Sequence, residues 1–166
     1  MKFEGNAHVY GKNTDTDVII PAACLKLDDK KEMSKHAMEG IDPQFTKRVR
    51  DGDIVIGGEN FGCGSSREQA PMVLSMKGIG AVVAPSYASI FKNNSVEGGY
   101  LYPLICKEEI KASMGDRIRI DTNKHILENL TNGSSYEIEP LTEKEEILLK
   151  NKGLIEYTKK LIRERK

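Results

Sequence analysis

The chain has 166 residues, with 25 basic and 25 acidic side chains, so its formal charge is zero and no global field draws it to nucleic acid or an anionic membrane. That length suits one domain, residues 1–166, with enough buried surface for a real core. The cysteines Cys24, Cys63 and Cys106 are too dispersed for a disulfide framework or a C-x-x-C metal or redox pair, which predicts a reducing, cytoplasmic setting.

The N-terminal Met1-Lys2-Phe3-Glu4-Gly5-Asn6 lacks an apolar signal segment, and no stretch approaches the roughly 18 apolar residues of a membrane span. Then come the alternating carboxylates of Asn13-Thr14-Asp15-Thr16-Asp17, ahead of Val18-Ile19-Ile20-Pro21. A calcium loop fails here, because Val18 stands at the obligatory glycine position and Cys24 at the bidentate glutamate position. An Asx-rich turn leading into a strand is the simpler expectation. Lys30 to Glu39 has helical composition, ended by Gly40 and Pro43.

The middle alternates between β-branched runs and helical stretches: a strand over 53–56, a helix over 65–77, a strand over 81–84 and a helix over 86–94. Pro71 should bend that first helix or shorten its opening turns. Between strand and helix lies Gly62-Cys63-Gly64-Ser65-Ser66-Arg67-Glu68. Ser65 and Glu68 satisfy the S-x-x-E capping box, which would make the segment a plain helix start. The same residues also suit an anion: the glycines let backbone amides approach it, and Arg67 offers a bidentate fork. Its place beyond the carboxyl end of a strand favours the second reading.

Beyond residue 100 the pattern becomes alternating strands, 101–105, 117–121, 125–130 and 136–139, with a hairpin at Asn132-Gly133. The fold class is therefore α/β, a mostly parallel central sheet with helices and a small antiparallel section. Thr142 and Glu145 form a second capping box, and Gly153 divides the C-terminal segment into two helices. The cationic end from Lys159 to Lys166 complements a helix dipole and reads as a solvated helix terminus rather than a nucleic-acid tail. The three histidines show neither metal nor triad spacing, so no metal site is assigned.

Taken together, residues 13–22 and 62–71 closely resemble the small subunits of the 3-isopropylmalate dehydratases, in the aconitase superfamily. Homoaconitases and related hydro-lyases share the pattern, and the resemblance runs from about residue 3 to Tyr157. It implies a swivelling β/β/α domain that closes over a [4Fe–4S] cluster carried by a separate large subunit, with no cofactor bound by this chain. It also implies that Ser65 is the catalytic base, that Ser66 and Arg67 bind a substrate carboxylate, and that Asp17 lies at the active-site edge. The loop over 22–28 would face the variable substituent of the substrate. There Leu25 and Leu27 suit an isopropyl group, Lys26 would suit a distal carboxylate, and Cys24 replaces a common aromatic. Lys92 and Glu97 depart from the family pattern.

The resemblance fits the chemistry of the residues. Dehydrating a hydroxy acid removes a C–H proton beside a carboxylate and builds enolate-like charge. A serine does this only where N–H groups and a permanent cation favour its alkoxide. The expected partners are the large subunit and a small hydroxy acid, with no nucleic acid and no membrane; self-association of the isolated chain stays open. Two alternatives are a small subunit of homoaconitase or of another substituted-malate dehydratase such as dimethylmalate, and a non-enzymatic anion- or RNA-binding module. Neutral charge opposes the last.

Overall fold

The computed structural model describes residues 1–166. The first part of the chain forms β1 (Lys2–Val9), α1 (Thr16–Ile19), a 3-10 helix (Ala22–Lys26), α2 (Lys30–Ser34) and α3 (Phe45–Arg48). Then follow β2 (Ile54–Ile56), α4 (Gln69–Met76), β3 (Ala81–Ala84), α5 (Ser89–Glu97) and β4 (Tyr102–Ile105). The chain ends with β5 (Arg117–Asp121), β6 (Ile126–Asn129), β7 (Ser135–Glu137), α6 (Glu143–Lys150) and α7 (Leu154–Glu164).

The strands make one seven-stranded sheet in the order β4-β3-β2-β1-β5-β6-β7. Pairing is parallel from β4 through β3 and β2 to β1, and antiparallel from β1 through β5 and β6 to β7. The architecture is the α/β class expected, and β1 is the hinge between its two halves. No sequence signal marked β1, because Gly5-Asn6-Ala7 interrupts its alternation; Gly5 is there for contact, since a Cβ would lie 2.3 Å from the Gly52 carbonyl oxygen. In β2 and β3 every residue is buried, as parallel strands covered on both faces require. Successive side chains enter opposite cores: Val55 and Val82 pack with Phe45, Phe61 and Phe91, whereas Ile54, Ile56, Ala81 and Val83 pack with Ile118, Ile120 and Leu127.

Asp53, which opens β2, ties the centre together. Its carboxylate accepts His8 Nε2 at 2.8 Å, the Asn6 amide at 2.9 Å and the Arg50 amide at 2.9 Å, and both His8 and Asp53 are buried.

Three local expectations change. Val18-Ile19-Ile20 is no strand, because the Asp15 side chain accepts the Asp17 amide and caps the short helix α1. A buried apolar run of that length fits either state, and the cap decides it. The helix expected over 65–77 opens only at Gln69, and no Ser65–Glu68 capping box forms: Ser65 bonds Asp17, and Glu68 accepts from Tyr100. Pro71 thus falls in the first turn of α4, where its missing N–H needs no partner. The helix expected over 30–39 stops at Ser34, and the segment after it bonds across to α1 through Met38 N to Ile19 O and Gly40 N to Val18 O.

The C-terminal expectations stand. Both bonds of the Thr142–Glu145 capping box form, Gly153 separates α6 from α7 at a φ of 103°, and β6 and β7 make the hairpin around Asn132-Gly133.

Candidate active site

Two loops distant in sequence are stitched into one edge. The Gly62 amide bonds Thr14 O and the Thr16 amide bonds Cys63 O, both at 2.8 Å, while Thr16 Oγ1 donates to Ser65 O at 2.8 Å. Beneath them Phe61 packs edge-on to Tyr87 and Phe91, with ring centroids at 6.2 and 5.3 Å. Gly64 holds a φ of 93°, and a Cβ there would sit 2.5 Å from the Asp15 carboxylate. Gly64→Ala therefore forces the loop outward. We expect a cost of about 1–3 kcal/mol in urea unfolding, together with loss of whatever activity the loop supports.

The side chains converge as the motif suggested. Ser65 Oγ donates to Asp17 Oδ1 at 3.2 Å, and Arg67 Nη1 lies 2.7 Å from the same oxygen as an ion pair while donating to Ile20 O at 3.0 Å. The guanidinium is thus seated by a backbone carbonyl, with 14% of the side chain exposed against 58% for Asp17. Ser66 is exposed beside them.

The amides from Gly64 to Gln69 donate to no other group of the protein, and the loop that carries them is largely exposed, so they are open to solvent or to a ligand. A consecutive run of N–H groups without protein acceptors concentrates positive potential. This face is also open. The principal cleft, about 610 Å³ and lined by residues including Tyr10, Lys12, Glu59 and Lys107, lies elsewhere.

The loop after Pro21 is a 3-10 helix whose side chains divide. Cys24 and Leu25 are half-buried against the core, Lys26 is exposed, and Leu27 is 37% exposed. Burial, then Glu39, pushes the Cys24 thiol up; burial, then Asp15, does the same for Cys63. Neither is an activated nucleophile. Lys92 has a structural partner, Glu145 Oε1 at 2.9 Å, which joins α5 to α6.

One grouping carried no sequence signature. Cys24, His36 and Glu39 place ligand-type atoms within 4.8 Å of one another, although they lie 12 and 3 residues apart in an irregular stretch.

Comparisons with known proteins place the chain in a family. The family model for the aconitase C-terminal domain covers residues 12–109. The small subunit 1 of 3-isopropylmalate dehydratase from Archaeoglobus fulgidus is 45% identical over 157 residues, spanning 95% of this chain and 97% of that one. The corresponding small subunit of Brachyspira hyodysenteriae is 44% identical over 160 residues, spanning 96% and 98%. A crystal structure of 3-isopropylmalate dehydratase from Methanocaldococcus jannaschii superposes with a TM-score of 0.92 at 40% identity, covering 99% of each chain. This chain belongs to the aconitase C-terminal domain family and, within it, to the 3-isopropylmalate dehydratase small subunits.

Proposed function

We propose that the chain is the small subunit of an iron–sulfur hydro-lyase that interconverts 2- and 3-isopropylmalate by dehydration and rehydration, as in leucine biosynthesis. The observation that carries this reading is the exposed run of amides from Gly64 to Gln69 with Ser65, Ser66 and Arg67 in its midst. A substrate carboxylate replaces Asp17 on Arg67 at small cost, because a pair this exposed on one side is worth at most about 1 kcal/mol. Arg67 Nε and Nη2 donate to no protein group and remain for the incoming acid. Ser66 adds a hydroxyl donor.

Ser65 Oγ removes the C–H proton beside that carboxylate. Its alkoxide form is favoured by the loop amides and by the permanent charge of Arg67, its own proton passing to solvent through the open face before the substrate is enclosed. Loss of the C–H proton and the neighbouring hydroxyl leaves a carbon–carbon double bond; rehydration reverses both steps with the hydroxyl on the other carbon.

A hydroxide is a poor leaving group, so the reaction calls for a Lewis acid, and the family implies a [4Fe–4S] cluster on the large subunit. A cluster that takes up a substrate hydroxyl keeps one iron free of protein ligands, and its other irons need thiolates that converge on it. Here Cys24 packs on one face of the sheet and Cys106 is buried on the other, so the residues present do not fit a cluster held by this chain alone. When bound by the partner, the cluster supplies the Lewis acid for the departing hydroxyl. The open face in front of 62–68 supports the same division of labour, since water is excluded only when a second surface closes over it.

The outward Leu27 and the inward Leu25 favour an apolar substituent, while exposed Lys26 is free to meet a distal carboxylate. Anaerobic reconstitution with the large subunit, assayed on isopropylmalate, homocitrate and dimethylmalate side by side, tests the choice. Preferred turnover of isopropylmalate is expected, and exclusive turnover of the tricarboxylate overturns it. No helix is long and apolar enough to cross a membrane, and a cytoplasmic location accords with the biosynthetic role proposed.

A further inference from the structure

We propose that Cys24, His36 and Glu39 form a three-ligand site for a zinc-class divalent cation, which clamps the Ala22–Lys26 helix to the segment following α2. The site is distinct from the loop at 62–68 and does not depend on the hydro-lyase reading.

One thiol sulfur, one imidazole nitrogen and one carboxylate oxygen lie within 4.8 Å of one another. Tetrahedral zinc, with bonds of about 2.0–2.3 Å, holds its ligand atoms roughly 3.3–3.8 Å apart. The group therefore closes around the ion with side-chain shifts of about an ångström, which exposed Glu39 can supply. His36 Nδ1 and Glu39 Oε2 stand 2.6 Å apart in a direct hydrogen bond, which the ion replaces by parting them to its ligand spacing.

The backbone on both sides is fixed. Met38 N bonds Ile19 O and Gly40 N bonds Val18 O, while Cys24 N bonds Pro21 O. His36 and Glu39 are thus carried by a segment held against α1 and Cys24 by a hydrogen-bonded 3-10 turn, and an ion between them joins that turn to residues 36–39.

The donor set selects the metal. A soft thiolate with imidazole and one carboxylate suits zinc and disfavours calcium and magnesium, which want oxygen ligands. Without a cation, a Cys24 thiolate would face the Glu39 carboxylate; a dication turns that repulsion into two bonds. Binding releases the thiol proton to solvent, and three protein ligands leave the fourth position to water.

The test uses the reduced full-length chain, titrated with zinc against a chelating indicator and with cobalt(II) followed by absorption. We expect one equivalent bound and a sulfur-to-cobalt charge-transfer band. The band should vanish in Cys24→Ser and persist in Cys63→Ser. Zinc affinity should fall more than about 100-fold in Cys24→Ser and in His36→Gln, beyond the cost of losing an outer-shell partner. Absence of the band from the unmodified chain, which needs no variant to interpret, overturns the site, as does a band that survives Cys24→Ser. Retained hydro-lyase turnover in a chain that binds no zinc would remove this proposal alone.

Discussion

Ser65→Ala should reduce turnover of the reconstituted enzyme by about 10²–10⁴-fold, the range a positioned general base contributes. The loss should fall on kcat, because Arg67, Ser66 and the free amides still hold the substrate carboxylate. Stability should stay within about 0.5 kcal/mol of the parent: Ser65 is exposed, and its hydroxyl makes one long bond, 3.2 Å to an exposed aspartate. Steady-state kinetics with urea unfolding of the same preparation separates the two effects. A variant that keeps kcat within tenfold would take the base away from Ser65, and a rise in KM alone would make it a binding group.

The largest effect on stability should come from Asp53→Ala. Asp53 is 2% exposed and accepts three donors, one of them from a histidine that is 1% exposed. Truncation leaves His8 Nε2 and two backbone amides without an acceptor where water cannot readily replace it. Breaking a buried, hydrogen-bonded pair by removing one partner costs about 3–5 kcal/mol. The Asn6 and Arg50 amides join the central strand β1 to the turn before β2, so the damage falls where the parallel and antiparallel halves meet. Urea denaturation of the isolated chain measures it, and a loss below about 1 kcal/mol would mean that water satisfies those donors. Asp53→Asn, which keeps one acceptor oxygen, should fall between variant and parent.

The Thr142–Glu145 box and the Gly153 break follow from local chemistry, and both were readable because no distant partner competes for those atoms. The Ser65–Glu68 pair has the same pattern and a different outcome. Distant groups claim each member, Asp17 from 48 residues upstream and Tyr100 from 32 residues downstream. Likewise the α1 segment has strand composition and becomes helix because Asp15 caps it and the neighbouring loop bonds Thr16.

The sequence by itself determined the α/β class, the buried parallel strands, the hairpin and the two motifs whose residues meet at one edge, because periodicity, turn chemistry and motif spacing are local properties of the chain. Only the tertiary structure decided that Ser65 and Arg67 share Asp17, that the amides of 64–69 have no acceptor in the protein, that Asp53 binds β1 to the turn before β2, and that Cys24 faces His36 and Glu39. The sharing of Asp17 and the Asp53 network depend on the parallel crossover that lays β2 beside β1, whereas Cys24, His36 and Glu39 meet within the connection between those strands.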